Sequence, residues 1–176
     1  AINNPNLIKD AIKLFGSSTI VASIETQFID NNYYAFTESG RNKSSKELIL
    51  WIKELQDLGI GEITITFIDS EGTGKGINLE LVELILSYIS VPVILNGGIG
   101  NKNQVYELLS LDKVSGLAIS SMFHYDKINN QKINNKDYPL GNIDFLLNNK
   151  SSSKIETINI AELKKFLFFK NIEVNI

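Results

Sequence analysis

The sequence predicts a parallel α/β fold, and three observations carry that reading. First, short apolar stretches alternate with segments of helical period. Second, three of those stretches run straight into small polar or glycine-rich loops. Ile63–Phe67 leads into Asp69-Ser70-Glu71-Gly72-Thr73-Gly74, Val91–Leu95 into Asn96-Gly97-Gly98-Ile99-Gly100, and Gly116–Ile119 into Ser120-Ser121. Third, the strands are apolar on both sides, as a sheet covered by helices or closed into a barrel requires. Consecutive βα units with polar strand ends describe the face where such proteins bind anions and do chemistry.

Along the chain, Ala1-Ile2-Asn3-Asn4-Pro5 reads as a loop entering a helix, with Asn4 as N-cap and Pro5 in the first turn. A loop of that kind normally follows a strand, so a further N-terminal portion is expected. The helix covers Pro5–Phe15, with Leu7, Ile8, Ala11, Ile12 and Phe15 on one face and Gly16 at its end. Thr19–Ile24 is a strand ending at Glu25. Tyr33–Thr37 adds a short hairpin with Phe28–Ile29. Lys43–Ser45 opens a helix through Leu58, whose stripe of Leu48, Ile49, Ile52 and Leu55 places neighbouring Trp51 in the core. Strand Glu62–Phe67, helix Leu79–Ser87, strand Val91–Leu95, helix Asn103–Leu111 and strand Ser115–Ile119 follow. Pro92 is tolerable near a strand start. Asp126–Ser153, rich in Asn, Lys and Ser with one apolar island at Ile143–Leu147, reads as an inserted surface excursion. Ala161–Phe169 is the last helix. Four strands fit a small doubly wound sheet or half of a (β/α)8 barrel, which has eight.

The 176 residues fit a single domain, 1–176, with the insertion at 126–153. A net charge of −3 gives no dominant footprint for nucleic acid or an anionic membrane. The absence of cysteine removes disulfides, thiolate metal sites and Cys nucleophiles. One histidine, His124, leaves no His-His metal site, and it reads as a packed or surface residue in the turn after the last strand. No apolar run approaches the ~20 residues of a membrane span, and Ala1–Asp10 lacks the order of a signal peptide. Cytoplasm is the expected location, and no cofactor or metal is expected.

Taken in order, Asn4-Pro5, Gly16-Ser17, Phe36-Thr37-Glu38-Ser39-Gly40, Gly61-Glu62-Ile63, Ile68-Asp69-Ser70-Glu71-Gly72-Thr73, Gly97-Gly98-Ile99-Gly100 and Ser121-Met122-Phe123-His124 resemble the cyclase subunit family of imidazole glycerol phosphate synthase. The resemblance runs from Ala1 to about Tyr125 and resumes from Thr157. It implies a (β/α)8 barrel of histidine biosynthesis, with this chain covering about the C-terminal two-thirds and the last four strands. It further implies ammonia delivered by a glutaminase subunit along the barrel axis, and a phosphorylated substrate cleaved and cyclised at the C-terminal face. A related branch channels ammonia for amidation of surface-polysaccharide sugars. A non-catalytic barrel fragment is a third reading.

The resemblance places a catalytic carboxylate at Glu25, where the family has aspartate, and Gln27 where it has lysine. Glutamate keeps the carboxylate but adds a methylene. Phosphate would be held by backbone N–H groups at Glu71-Gly72, Gly97-Gly98 and Ser120-Ser121. Thr66, Asp69 and Asn96 would hydrogen-bond substrate, although Thr66 also reads as a strand filler, Asp69 as a turn cap and Asn96 as a strand-end turn residue. Glu62 would belong to a charged ring gating ammonia at the opposite end. Thr66, Thr64 and Glu62 share strand parity and should face one side. The basic cluster Arg41, Lys43 and Lys46 reads as a solvated loop face.

Overall fold

The computed structural model describes residues 1–130 and 154–175. Its centre is a six-stranded sheet in the order β3-β2-β1-β4-β5-β6. The strands are β1 (Val21–Ile29), β2 (Asn32–Thr37), β3 (Asn42–Glu47), β4 (Glu62–Phe67), β5 (Val93–Asn96) and β6 (Val114–Ala118). β1, β4, β5 and β6 run parallel in chain order, as expected of the last strands of a barrel, while β1-β2-β3 is an antiparallel meander. The helices are α1 (Asn6–Phe15), α2 (Leu48–Asp57), α3 (Leu79–Ser87), α4 (Lys102–Leu109), α5 (Ser121–Asn130) and α6 (Ile160–Phe169).

Alternation along the strands sorts the two faces of the sheet. Ile24 and Thr26 of β1, Ile63, Ile65 and Phe67 of β4, and Val93 and Leu95 of β5 are all buried. They share the core with Trp51, Ile52 and Leu55 of α2, Val82 and Ile85 of α3, and Val105 and Leu108 of α4. Each buried Val, Leu, Ile or Phe among them contributes roughly 1.5–3 kcal/mol by leaving water. The residues of opposite parity, among them Val21, Ser23, Glu25, Glu62, Thr64, Thr66 and Asn96, lie on the other face. Val21 there is 49% exposed, unusual for a valine within a sheet.

Three helix starts are written locally, that of α6 by Asn159, which accepts the Glu162 N–H at 2.9 Å. Asn78 accepts the Leu81 N–H at 3.1 Å, and Asn101 accepts those of Asn103 and Gln104 at 3.0 Å each. Such caps satisfy N–H groups that a helix leaves without partners.

The structure corrects several expectations. β1 does not stop before Glu25 but continues to Ile29, because β2 supplies an antiparallel partner for Glu25–Ile29 and Thr26 Oγ1 donates to the Tyr34 carbonyl at 2.9 Å. Thr19 belongs to a 3-10 turn instead. The helix expected from Lys43–Ser45 starts only at Leu48, since Asn42–Glu47 form β3. There Lys43 and Lys46 of the basic cluster lie on a strand, while Arg41 stays in the turn before it. Lys43 stacks 3.8 Å over the Tyr34 ring, Lys46 pairs with Glu54, and Ser44 Oγ donates to the Ala35 carbonyl at 2.6 Å. Tertiary pairing overrides local helical signal in this stretch.

Further shifts are small. α1 begins at Asn6, with Pro5 and not Asn4 in the capping position. β5 and β6 are Val93–Asn96 and Val114–Ala118, and α4 ends at Leu109. Of the α1 stripe only Ile8 is fully buried; Leu7 and Phe15 are 57% and 59% exposed, because α1 sits at the margin beside the edge of β1. α5 carries Asp126–Asn130 as helix, so the excursion does not begin at Asp126. The Ile143–Leu147 island lies outside the described residues. His124 is on α5, exposed, and not in a turn.

Candidate functional site

Register across the parallel strands makes one row of side chains. Glu25 pairs in register with Thr66, Thr66 with Asn96, and Asn96 with Ala118. All four occupy the face turned away from the main helix layer, and all sit toward the C-terminal ends of the parallel strands. Asn96 Nδ2 donates to Thr66 Oγ1 at 3.2 Å, which satisfies a threonine only 8% exposed. The bond fixes both side chains beside Glu25, which is half-buried.

Two clefts open on this rim. A cleft of about 270 Å³ is lined by Glu25, Gln27, Ser39, Gly40, Ile68, Asp69 and Glu71. A second, of about 190 Å³, is lined by Glu71, Gly72, Asn96, Gly97, Gly98, Ile99, Ala118, Ile119, Ser120 and Ser121. Every rim residue singled out from the sequence therefore lines a cleft except Thr66, which stands in the row between them. Glu71 belongs to both. Glu62 does not join them: it opens β4, in register with Val21, at the opposite end of the sheet from Asp69.

The second cleft is made largely of backbone. Gly97 (φ 100) and Gly98 (φ 83) adopt conformations that side chains rarely reach, and both are packed from below. A Cβ on Gly97 would lie 2.5 Å from the Phe67 carbonyl oxygen, and one on Gly98 would lie 2.7 Å from that of Gly76. The Gly76 N–H donates to the Gly98 carbonyl at 2.7 Å, tying the loops after β4 and β5 together. Ser121 opens α5, so a helix N-terminus borders the same space. Backbone N–H groups and a helix start favour an anion.

The first cleft is made of side chains, three of them carboxylates. The turn that walls it was under-read from sequence. Glu38, Ser39 and Gly40 have φ of 55, 56 and 74, three successive left-handed residues. Gly40 packs close to Ile68: a Cβ there would be 3.1 Å from Ile68 Cδ1. The signal available was Glu-Ser-Gly itself. Tyr33 of β2, expected only as a hairpin residue, does not line this cleft but lies close enough to feel Asp69. Its ring meets Phe28 at 5.0 Å and Phe67 edge-on at 6.2 Å. Burial raises its pKa above the usual tyrosine value, and the negative charge of Asp69 adds to that.

A different cleft, of about 390 Å³, runs along Val21–Ile24, whose outer edge pairs with no strand among the described residues. Apolar side chains such as Ile2, Ile8, Trp51 and Leu55 dominate its lining, and it follows an open strand edge, although Glu25 touches its upper end. Among the described residues no group of three or more Asp, Glu or His side chains is arranged to hold a metal ion.

Parallel βα units whose strand ends gather a carboxylate cleft and a glycine-lined cleft on one rim define a protein of the (β/α)-barrel type. Residues 1–129 match the family of histidine biosynthesis proteins, and the chain belongs to that family. It is 35% identical over 129 residues to the imidazole glycerol phosphate synthase subunit HisF of Hydrogenobaculum sp., covering 73% of this chain and 51% of that protein. The HisF of Streptococcus mutans is 33% identical over the same shares. That of Sulfurisphaera tokodaii is 31% identical over 100% of this chain and 58% of its own length. The chain thus spans about half the length of the curated relatives it matches, less than the two-thirds expected from the motifs.

Proposed function

We propose that this chain provides the half of a cyclase site that holds a phosphate and one proton-transferring carboxylate. The activity is that of an imidazole glycerol phosphate synthase, a lyase and cyclase using ammonia from a glutaminase subunit on a phosphorylated substrate. The observation that carries this reading is the register row Glu25–Thr66–Asn96, flanked on one rim by the carboxylate cleft and the glycine cleft. A substrate anchored by phosphate on the Gly97-Gly98 and Ser120-Ser121 amides would extend across Asn96 and Thr66 toward Glu25. Anchoring at a distance converts binding into orientation of the reacting centre. Glu25 then takes or returns a proton, a task for which a carboxylate within hydrogen-bond reach contributes about 10²–10⁴-fold. Asp69 and Glu71 accept hydrogen bonds from substrate hydroxyl or N–H groups in the same cleft. Glu62, at the far end of β4, stands where ammonia would enter a closed barrel. Among the described residues no helix is long and apolar enough to cross a membrane.

The test is Glu25→Gln, which preserves size and hydrogen bonding but removes proton exchange. Turnover with free ammonia, and then with glutamine plus the glutaminase, should fall at least ~100-fold while substrate affinity stays within about twofold. Glu25→Asp should retain or raise turnover, since it restores the shorter reach of the related cyclases. Full activity of Glu25→Gln in both assays excludes catalysis by this residue. If in addition a change at Glu62 stops only the glutamine-driven reaction, the chain is an ammonia conduit.

A further inference from the structure

The chain returns to the sheet through Lys154–Ile158, and this short segment grips two of the three loops that build the anion cleft, those after β4 and β5. Ile155 and Ile158 are 7% and 6% exposed and anchor it in the core. Ile155 and the Lys154 carbonyl lie so close to Gly74 that a Cβ there would be 2.8 Å from each. The Glu156 N–H donates to the Gly100 carbonyl at 2.6 Å. Its side chain then spans the start of α4: Oε2 accepts the Lys102 backbone N–H at 3.2 Å, and Oε1 pairs with Lys102 Nζ at 3.0 Å.

These contacts continue inward to the cleft. Gly74 and Gly100 touch each other, since a Cβ on Gly100 would be 2.6 Å from the Gly74 Cα. Gly100 N–H donates to Gln104 Oε1 at 2.8 Å, and two residues upstream the Gly98 carbonyl is held by Gly76 N–H. A glycine loop has many conformations open to it, so one arrangement persists only when neighbours impose it. Glu156 imposes it from outside through three atoms: its backbone nitrogen and both carboxylate oxygens.

We propose that Glu156 is a positioning residue for the anion cradle, holding Gly100 and the first turn of α4 so that the Gly97 and Gly98 amides stay convergent. This rests on the phosphate reading of that cleft. The Lys102–Glu156 pair is about one-third exposed on each side, so it adds little to global stability. Its effect should therefore appear in binding and local exchange more than in melting.

The experiment is a titration of the full chain with inorganic phosphate, followed through the amide resonances of Gly97 and Gly98, for the native sequence, Glu156→Ala and Glu156→Gln. Glu156→Ala should weaken phosphate about fivefold, the scale of a lost helix-start acceptor, with an unchanged melting temperature. Glu156→Gln keeps an acceptor for the Lys102 N–H and should remain within about twofold of native. Amide exchange at Gly100 and Lys102 should quicken in the alanine variant and return to native rates in the glutamine variant. Native-like phosphate affinity in Glu156→Ala, or equal exchange in all three proteins, overturns the proposal while leaving the cradle standing. Gly97 and Gly98 resonances indifferent to phosphate in the native chain remove the phosphate reading, and this inference with it.

Discussion

The two clefts on the rim at the C-terminal ends of the parallel strands share Glu71 but are built from different material. The glycine cleft is a backbone surface: its shape comes from Gly97 and Gly98 pressed against the Phe67 and Gly76 carbonyls. The carboxylate cleft is a side-chain surface, drawn from β1, the Glu38–Gly40 turn and the loop after β4. A backbone site tolerates changes of side-chain identity around it but no added Cβ at its glycines. A side-chain site tolerates backbone adjustment but is sensitive to the length of one residue.

Gly98→Ala tests the backbone half and carries the largest expected change in stability. It forces a side chain into φ 83, against the Gly76 oxygen at 2.7 Å and Ser70 Cβ at 2.8 Å. Strain and overpacking together should cost about 2–4 kcal/mol in urea unfolding and eliminate phosphate-induced shifts at Gly97. A variant of native stability that binds phosphate normally would mean that the cleft is not held by backbone packing.

Asn96→Ala probes the seam between the clefts. It removes the bond to Thr66 Oγ1 and should destabilise by about 1 kcal/mol. In a double-mutant cycle with Thr66→Val the two changes should couple by roughly 0.5–1 kcal/mol, because they delete one shared bond. Strict additivity would separate the clefts energetically and break the idea of a continuous row.

The smallest effect concerns Tyr33, which does not line the carboxylate cleft but feels the charge of Asp69 from its place beside Phe67. Burial, and then the charge of Asp69, raise its pKa in the folded chain. Folding thus favours the neutral phenol. That contribution is fully present below the ordinary tyrosine range near pH ~10 and is lost as pH rises through the raised folded value. Phenolate absorbance, taken as the difference from Tyr33→Phe, should show titration at lower pH in Asp69→Asn, though still above the ordinary value because burial is the larger cause. An unchanged curve would show that Asp69 does not act on Tyr33.

Much of this molecule was legible in its sequence wherever the governing interactions are local. The βα alternation, the buried Trp51, the helix beginning near Asn78 and the glycines after β4 and β5 follow from periodicity, capping and turn chemistry within a few residues. Asp69 and Ser120 follow β4 and β6 at the end of the sheet where Asn96 closes β5, and Glu25 joins them from within β1, near the end of its parallel pairing with β4. The misread regions depend on pairing between strands, which the periodicity within one segment does not show even when the partner strand is the next one along the chain. Asn42–Glu47 is a strand only because β2 lies beside it, and β1 runs past Glu25 for the same reason.

Sequence by itself therefore determined the order of elements, the polar rim and the family, since each is written in neighbouring residues or in motifs read in order. Tertiary structure alone decided the register that lines Glu25 up with Thr66 and Asn96, the sharing of Glu71 between two clefts, and the grip of Glu156 on Gly100 across 56 positions of chain. The physical reason is that a strand offers the same backbone donors and acceptors at every position. Only the packing of Ile63, Ile65 and Phe67 against the helices selects which of the possible alignments is kept.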